Sequence, residues 1–313
     1  MKDGLLLAGT RTTGTELHLG TYYGWIEQIK KAEKQHNVCI FITDYQSLNM
    51  DFNGSISETV SELKDVLKEF IPSSIPIIIE SKIEEIGTLG LLIAKTFNDG
   101  YINRISTFKK HEKEGKKTTL NDLMYPAMML ANVISVGATH IFDKPEYFFQ
   151  PIDVLNDIIH STIKKYNRNI SKLQTFKKDK INIPSIDGSG PMQRNRKQNG
   201  YIKINDIDYG GLDKSFGKIK LPEIEVDPND RIKRCDVIYK IRESIMRNNS
   251  KERCNHTIYP CLECKSEVVK KIYEDIKHID KDEIKRKRIE EQFIESANER
   301  VKKFINQTIF MSG

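Results

Sequence analysis

Short apolar runs with strand character alternate with amphipathic helical stretches through the first half of this chain, and that order admits few folds. Leu5–Ala8, Val38–Thr43 and Ile75–Glu80 are rich in β-branched and aliphatic residues and are bounded by turn formers. Between them the spacing predicts a helix over about residues 21–35. A second is predicted over 57–70, where Val60, Leu63, Val66, Leu67 and Phe70 recur on one helical face. A β-α-β-α-β order requires right-handed crossovers, hence a parallel sheet covered by helices on both faces. The expected class is α/β, a Rossmann-like parallel sheet, with ligands gathering at the carboxyl ends of its strands.

Further on, the pattern predicts helices over 120–136 and 152–166 and a strand over 139–142. Residues 186–200, rich in Gly, Ser, Arg, Lys and Gln, read as a mobile loop. From Asp230 the chain reads as mainly helical and ends in a heavily charged helix, about 281–305. Two units are therefore expected: a catalytic, nucleotide-binding domain over 1–200 and a helical domain over 201–313. No apolar run is long enough to span a bilayer. The first residues lack the basic and apolar regions of a signal peptide, so cytoplasmic residence and no membrane partner are expected. The net charge of +6 is compatible with a polyanionic partner but does not demand one. Lys285, Arg286, Lys287, Arg288, Arg300, Lys302 and Lys303 are interspersed with glutamates, a mixture that fits either a solvated face or an RNA contact.

The first chemical signature runs from Gly9 through Arg11, Gly14 and His18 to Gly20, after a strand and at the start of a helix. Glycines there let a nucleotide approach closely. Free backbone N–H groups and the helix dipole favour negative charge, and a histidine can donate to a phosphate.

Its context resembles the class I aminoacyl-tRNA synthetases, particularly the tryptophanyl/tyrosyl branch. There a Pro-Thr-Gly turn and a His-Leu-Gly follow the first strand at this spacing. Asp44-Tyr45-Gln46-Ser47-Leu48 stands where Asp-x-His-Ala-Leu/Ile occurs, and Arg104 to Lys109 is similar to Arg-Met-x-x-Phe-Lys. Tyr125-Pro126-Ala127-Met128-Met129-Leu130-Ala131-Asn132 resembles Tyr-Pro-x-Leu-Met-Ala-Ala-Asp. The resemblance implies that Gly9, His18 and Gly20 face ATP, with Thr21 in place of the usual Asn or His. Arg11 would lie near the reacting carboxylate and α-phosphate, and Lys109 near phosphates. Leu7, Tyr125 and Met129 would belong to the amino-acid pocket.

Two family features have drifted. The Lys-Met-Ser-Lys-Ser loop, whose lysines hold departing pyrophosphate, is matched by Pro191-Met192-Gln193-Arg194-Asn195. Met192 is identical and Arg194 retains a cation, whereas Pro191 removes the first ammonium. Losing a preorganised cation from a transition state commonly costs about a hundredfold in rate. In the pocket, Asn132 replaces the Asp that accepts the indole N–H, though its carbonyl can still accept. Asp143 stands where an apolar residue packs on the indole, Lys144 replaces a glycine, Glu146 could hold ribose hydroxyls, and Tyr147 replaces a polar anchor. A carboxylate against an apolar ring is unfavourable unless paired. The pocket is thus expected to take a more polar amino acid, unless Asp143 pairs with Lys144 or faces solvent.

Cys235, Cys254, Cys261 and Cys264 read Cys-x18-Cys-x6-Cys-x2-Cys. Such a group in a cytoplasmic chain argues for metal rather than disulfides, with zinc as the generic choice. Some bacterial tryptophanyl-tRNA synthetases carry a [4Fe-4S] cluster on a similar pattern with a longer first gap. That resemblance implies an iron–sulfur cluster here, with zinc second. Cys39, on an apolar strand, reads as core.

The resemblance as a whole implies ATP-dependent activation of an amino acid as its adenylate, with ATP carried by Mg, and transfer to tRNA by a homodimer. A paralogue serving a specialised biosynthetic pathway and a non-catalytic tRNA-binding protein are the alternatives.

Overall fold

The alternation becomes a five-stranded sheet of order β3-β2-β1-β4-β5 in which every neighbouring pair is parallel. The structure is a computed structural model and describes residues 2–12, 14–47, 55–104, 109, 113–115, 117, 119–142, 152–177, 179, 181–186, 190–192, 200–205, 208–217, 236–246, 262–277 and 279–309. The strands are β1 (Leu5–Arg11), β2 (Asn37–Thr43), β3 (Ile77–Ile79), β4 (His140–Phe142) and β5 (Gln174–Phe176). The helix after β1 has three parts: α1 (Leu19–Thr21), a π-helical turn (Tyr22–Ile26) and α2 (Glu27–Glu33). Then come α3 (Asp44–Ser47), α4 (Ile56–Phe70), α5 (Ile86–Ala94), α6 (Asp99–Ile102), α7 (Leu120–Val136) and α8 (Ile152–Tyr166). The last four are α9 (Tyr209–Gly217), α10 (Asp236–Met246), α11 (Leu262–Lys277) and α12 (Glu283–Ile309). The helices expected at 120–136 and 152–166 have those bounds.

Period-two alternation sorts the strand residues onto two apolar layers. Leu6, Ala8, Val38, Ile40 and Ile42 face one layer, filled by α2, α4, α10 and α11 through residues such as Ile29, Leu67, Ile241 and Val268. Leu7, Cys39, Phe41 and Ile141 face the other, with Ile93, Leu130, Ile158 and Val301 from α5, α7, α8 and α12. Local signals fix the helix ends. Ser55 caps α4 by accepting from Glu58 N at 3.3 Å, and Thr119 and Asp122 form a reciprocal capping box on α7. Gly137 ends α7 at φ 68°, a conformation open to glycine.

The terminal helix is not simply solvated. Arg286 is 1% exposed, and its Nη2 donates to the carbonyls of Ile71 (2.8 Å) and Lys68 (3.3 Å) at the end of α4. Burial pushes its guanidinium below the usual range. Glu290, one turn on, accepts from Ile77 N (3.0 Å) and pairs with Lys64 (2.6 Å), giving edge strand β3 a carboxylate partner. The sequence offered Arg286 to solvent or RNA, and its position inside the molecule removes it from that surface. Among the described residues no helix is long and apolar enough to cross a membrane.

Candidate active site

Strand order reverses between β1 and β4, and the turn that leads into α1 leaves the carboxyl end of β1. Gly9 lies in β1 opposite Phe41, and Arg11 ends the strand opposite Thr43. His18 is the N-cap of α1. Its Nδ1 accepts from Thr21 N (3.2 Å), and its Nε2 lies 3.1 Å from Thr21 Oγ1. Accepting at Nδ1 leaves the neutral ring's proton on Nε2, which then donates to the hydroxyl. Thr21 therefore orients the histidine.

Gly20 is closely approached. A Cβ there would meet His18 Nδ1 at 3.0 Å, His18 Cε1 at 3.1 Å and Met192 Cβ at 3.2 Å. Met192 is held in place by its N–H donating to Ile183 O (2.8 Å) and its sulfur accepting from Ile202 N (3.5 Å). The first signature and the loop expected to serve pyrophosphate thus meet at Gly20.

Residues 201–205, to which the sequence reading gave no role, bind this turn. Leu19 N donates to Ile202 O and Ile204 N to Leu17 O, both at 3.0 Å. Asn205 accepts from Leu17 N (2.7 Å) and donates to Thr15 O (3.0 Å). Glu16 accepts from Tyr201 Oη (2.5 Å) and pairs with Lys203 (3.0 Å). A lone asparagine and a strand-like pair of isoleucines carry no local signal of such a partner.

On the second layer, Tyr125, Met129 and Asn132 recur at i, i+4 and i+7 along α7, one face of the helix. All three are buried, and Tyr125 and Met129 share an apolar cluster with Leu7. Asn132 Nδ2 donates to Glu80 Oε1 at 2.8 Å, and Glu80, itself 0% exposed, accepts from Tyr45 N at 3.2 Å. A carboxylate can only accept, so the amide nitrogen must face Glu80 and the carbonyl must face away. That oxygen, Asn132 Oδ1, is buried without a hydrogen-bond partner among the described residues. An orphaned buried acceptor costs about 1–3 kcal/mol, which a ligand N–H could recover. Glu80 was read only as the end of a strand, and nothing in its local sequence marks it as a partner for Asn132.

The other expected residues are less gathered. Lys109 is exposed, while Arg104, from the same motif, is committed to Asp157 (2.6 Å) and Asp153 (2.7 Å) on α8. Asp143, Lys144, Glu146, Tyr147 and Arg194 lie outside the described residues, as do Cys235, Cys254 and Cys261. Cys264 is buried in the first turn of α11, 5% exposed. Among the described residues no three potential metal ligands gather.

Residues 3–142 match the family model described as tRNA synthetases class I (W and Y). Over part of its length the chain is similar to class I tryptophanyl-tRNA synthetases. It is 22% identical over 213 residues to a tryptophan–tRNA ligase of Mycoplasma genitalium, covering 64% of this chain and 61% of that protein. With the ligase of Rickettsia bellii it shares 28% over 174 residues, 54% and 52% of the two chains. It thus spans about half to three fifths of the length of these curated relatives. Its fold matches the tryptophanyl-tRNA synthetase of Campylobacter jejuni at a TM-score of 0.70 and 17% identity, covering 98% of each chain. A second structure of that enzyme, complexed with ADP and tryptophan, superposes equally well at 16% identity over 97% of this chain and 98% of that one. At such identities the likeness establishes the fold alone, an α/β architecture shared with these enzymes.

Proposed function

We propose that the protein is an aminoacyl-tRNA ligase of the tryptophanyl type, activating an amino acid with ATP and transferring it to tRNA. The observation that carries this reading is the contact of Met192 with the His18–Gly20 turn. It brings a phosphate-favouring helix start and the pyrophosphate-loop signature to one place, although they are distant in sequence. In the reaction the amino acid's carboxylate attacks the α-phosphate of Mg-bound ATP in line and pyrophosphate leaves. The protein's part is to position the reactants and stabilise charge. His18, its ring nitrogens taken up by Thr21, would shape the turn. The cations of Arg11, Lys109 and Arg194 would serve the phosphates, and Gly9, Gly20 and Glu146 would lie close to the nucleoside.

Asn132 Oδ1 supports a side chain that bears an N–H donor. Tryptophan, bound by the related Campylobacter enzyme, meets that requirement. A neutral amide oxygen attracts an N–H less strongly than a carboxylate does, and with Asp143 nearby in sequence we infer a specificity altered from that of the relatives. Amino-acid-dependent pyrophosphate exchange across a panel, with and without tRNA, tests the proposal. Exchange is expected with an amino acid whose side chain bears an N–H, tryptophan not being the best substrate. Tryptophan as the best substrate overturns the altered specificity while leaving the ligase reading. ATP binding with no exchange by any amino acid overturns it in favour of a non-catalytic tRNA binder.

We further infer that Cys235, Cys254, Cys261 and Cys264 hold a [4Fe-4S] cluster, with zinc the alternative. Cys264 fits a thiolate ligand: it lies in the first turn of α11, where backbone N–H groups favour a thiolate. The cluster would organise the helices around it and supply no step of the reaction. A homodimer belongs to this reading, and sedimentation tests it. Cytoplasmic residence accompanies this reading.

A further inference from the structure

The connection from α8 to β5, the end of α7 and one face of α12 enclose a cleft of about 520 Å3. It lies before β4 and β5, at the amino ends of the strands, whereas the His18 turn follows the carboxyl end of β1. The two sites are therefore at opposite ends of the sheet. Three cations line the cleft, Arg168, Arg300 and Lys303, and among the described residues no carboxylate does. Asn167 and Asn169 add amide donors, and Phe304 contributes an apolar wall.

Part of this arrangement has a structural explanation. Arg300 Nη1 lies 3.5 Å from Ser135 O and caps the C-terminus of α7. The Arg168 guanidinium sits 5.5 Å from the Phe304 ring, with Nη2 at 3.4 Å from Thr308 Oγ1. Capping does not account for the rest. Among the described residues the Arg168 guanidinium makes one hydrogen bond, through Nη2, and its buried Nε has no partner, so its charge is not met by the protein. Lys303 has no carboxylate partner among them either, although the adjacent Lys302 pairs with Glu84 at 2.6 Å. The C-termini of α7 and α8 each bring about half a negative charge, roughly one in all. Set against three formal positive charges, about two remain uncompensated, matching the charge of a phosphate monoester near neutral pH.

We propose that this cleft binds the phosphate group of a small organic phosphate of about mononucleotide size, a class its volume admits. Arg168 and Arg300 offer planar donors to the phosphate oxygens, Lys303 a point charge, and Phe304 a surface for the organic portion. The inference does not depend on the proposed synthetase activity.

The test follows thermal unfolding during titration with cytidine 5′-monophosphate, cytidine or inorganic phosphate at constant ionic strength, for wild type, Lys303→Glu and Lys303→Gln. Lys303 is exposed, so both variants are expected to unfold like wild type without ligand; if Lys303→Glu misfolds, Lys303→Gln decides. Wild type should show saturable stabilisation by the monophosphate, tighter than by phosphate alone and absent with cytidine. Charge reversal should weaken it at least about tenfold. Equal saturation in wild type and both variants places any binding elsewhere and overturns the proposal. So does equal stabilisation by cytidine, or a Lys303 dependence seen only with an added RNA strand.

Discussion

Gly20 and Met192 are in contact: a methyl group on Gly20 would lie 3.2 Å from Met192 Cβ while pressing the His18 ring at 3.0 and 3.1 Å. Gly20→Ala is therefore expected to push on both signatures at once. Overpacking of this kind costs about 1–3 kcal/mol. Pyrophosphate exchange should fall about tenfold or more, and Met192→Gly in the same protein, which removes the Cβ that the methyl group meets, should restore part of it. An unchanged rate in Gly20→Ala would show that the contact is slack.

Glu80 and Asn132 form a buried pair whose orientation leaves one acceptor unspent. Glu80→Ala orphans two donors, Asn132 Nδ2 and Tyr45 N, and should cost about 2–4 kcal/mol in urea unfolding. In Glu80→Gln the Tyr45 N–H holds the amide oxygen, so the NH2 group faces Asn132 and turns Asn132 Oδ1 toward itself, spending the free acceptor. Its expected signature is a raised KM for the amino acid with little change in KM for ATP. Equal effects on both would mean that Glu80 acts only on folding.

Arg286 spans from α12 to the end of α4, where two carbonyls depend on it. Removing the side chain leaves a cavity and unpaired acceptors, so Arg286→Ala should lose about 2–4 kcal/mol by chemical denaturation. Lys287→Ala, on an exposed neighbour, is the control and should change stability by less than about 0.5 kcal/mol.

His140 lies against His36 with ring centroids 4.4 Å apart and planes tilted by 45°, and burial followed by repulsion from His36 lowers its pKa below the ordinary 6.5. The unfolded chain takes up a proton as pH falls through 6.5, while folded His140 remains neutral further down. Stability at this site is therefore present above that value and declines as pH drops below it. Thermal unfolding between pH 7.5 and 5.5 should show the loss, and His140→Gln should flatten the curve.

Iron analysis and absorption spectra of anaerobically purified protein test the four-cysteine assignment. A brown protein that loses its visible absorption on chelation, with reduced helical signal, is expected. Stoichiometric zinc without iron would overturn the cluster and leave zinc as the bound metal.

By itself, the sequence determined the parallel sheet, its two apolar faces and the helix opening at His18. These follow from period-two and period-3.6 patterns and from caps, all encoded within a few neighbouring residues. Strand β5 escaped that reading because Gln-Thr-Phe is short and polar, and only pairing with β4 makes it a strand. Tertiary structure alone decided that Arg286 is internal, that Glu80 turns the Asn132 amide, and that Met192 closes on Gly20. Each depends on where distant elements dock, and a buried charge or amide finds its partner only after the surrounding packing has fixed both ends.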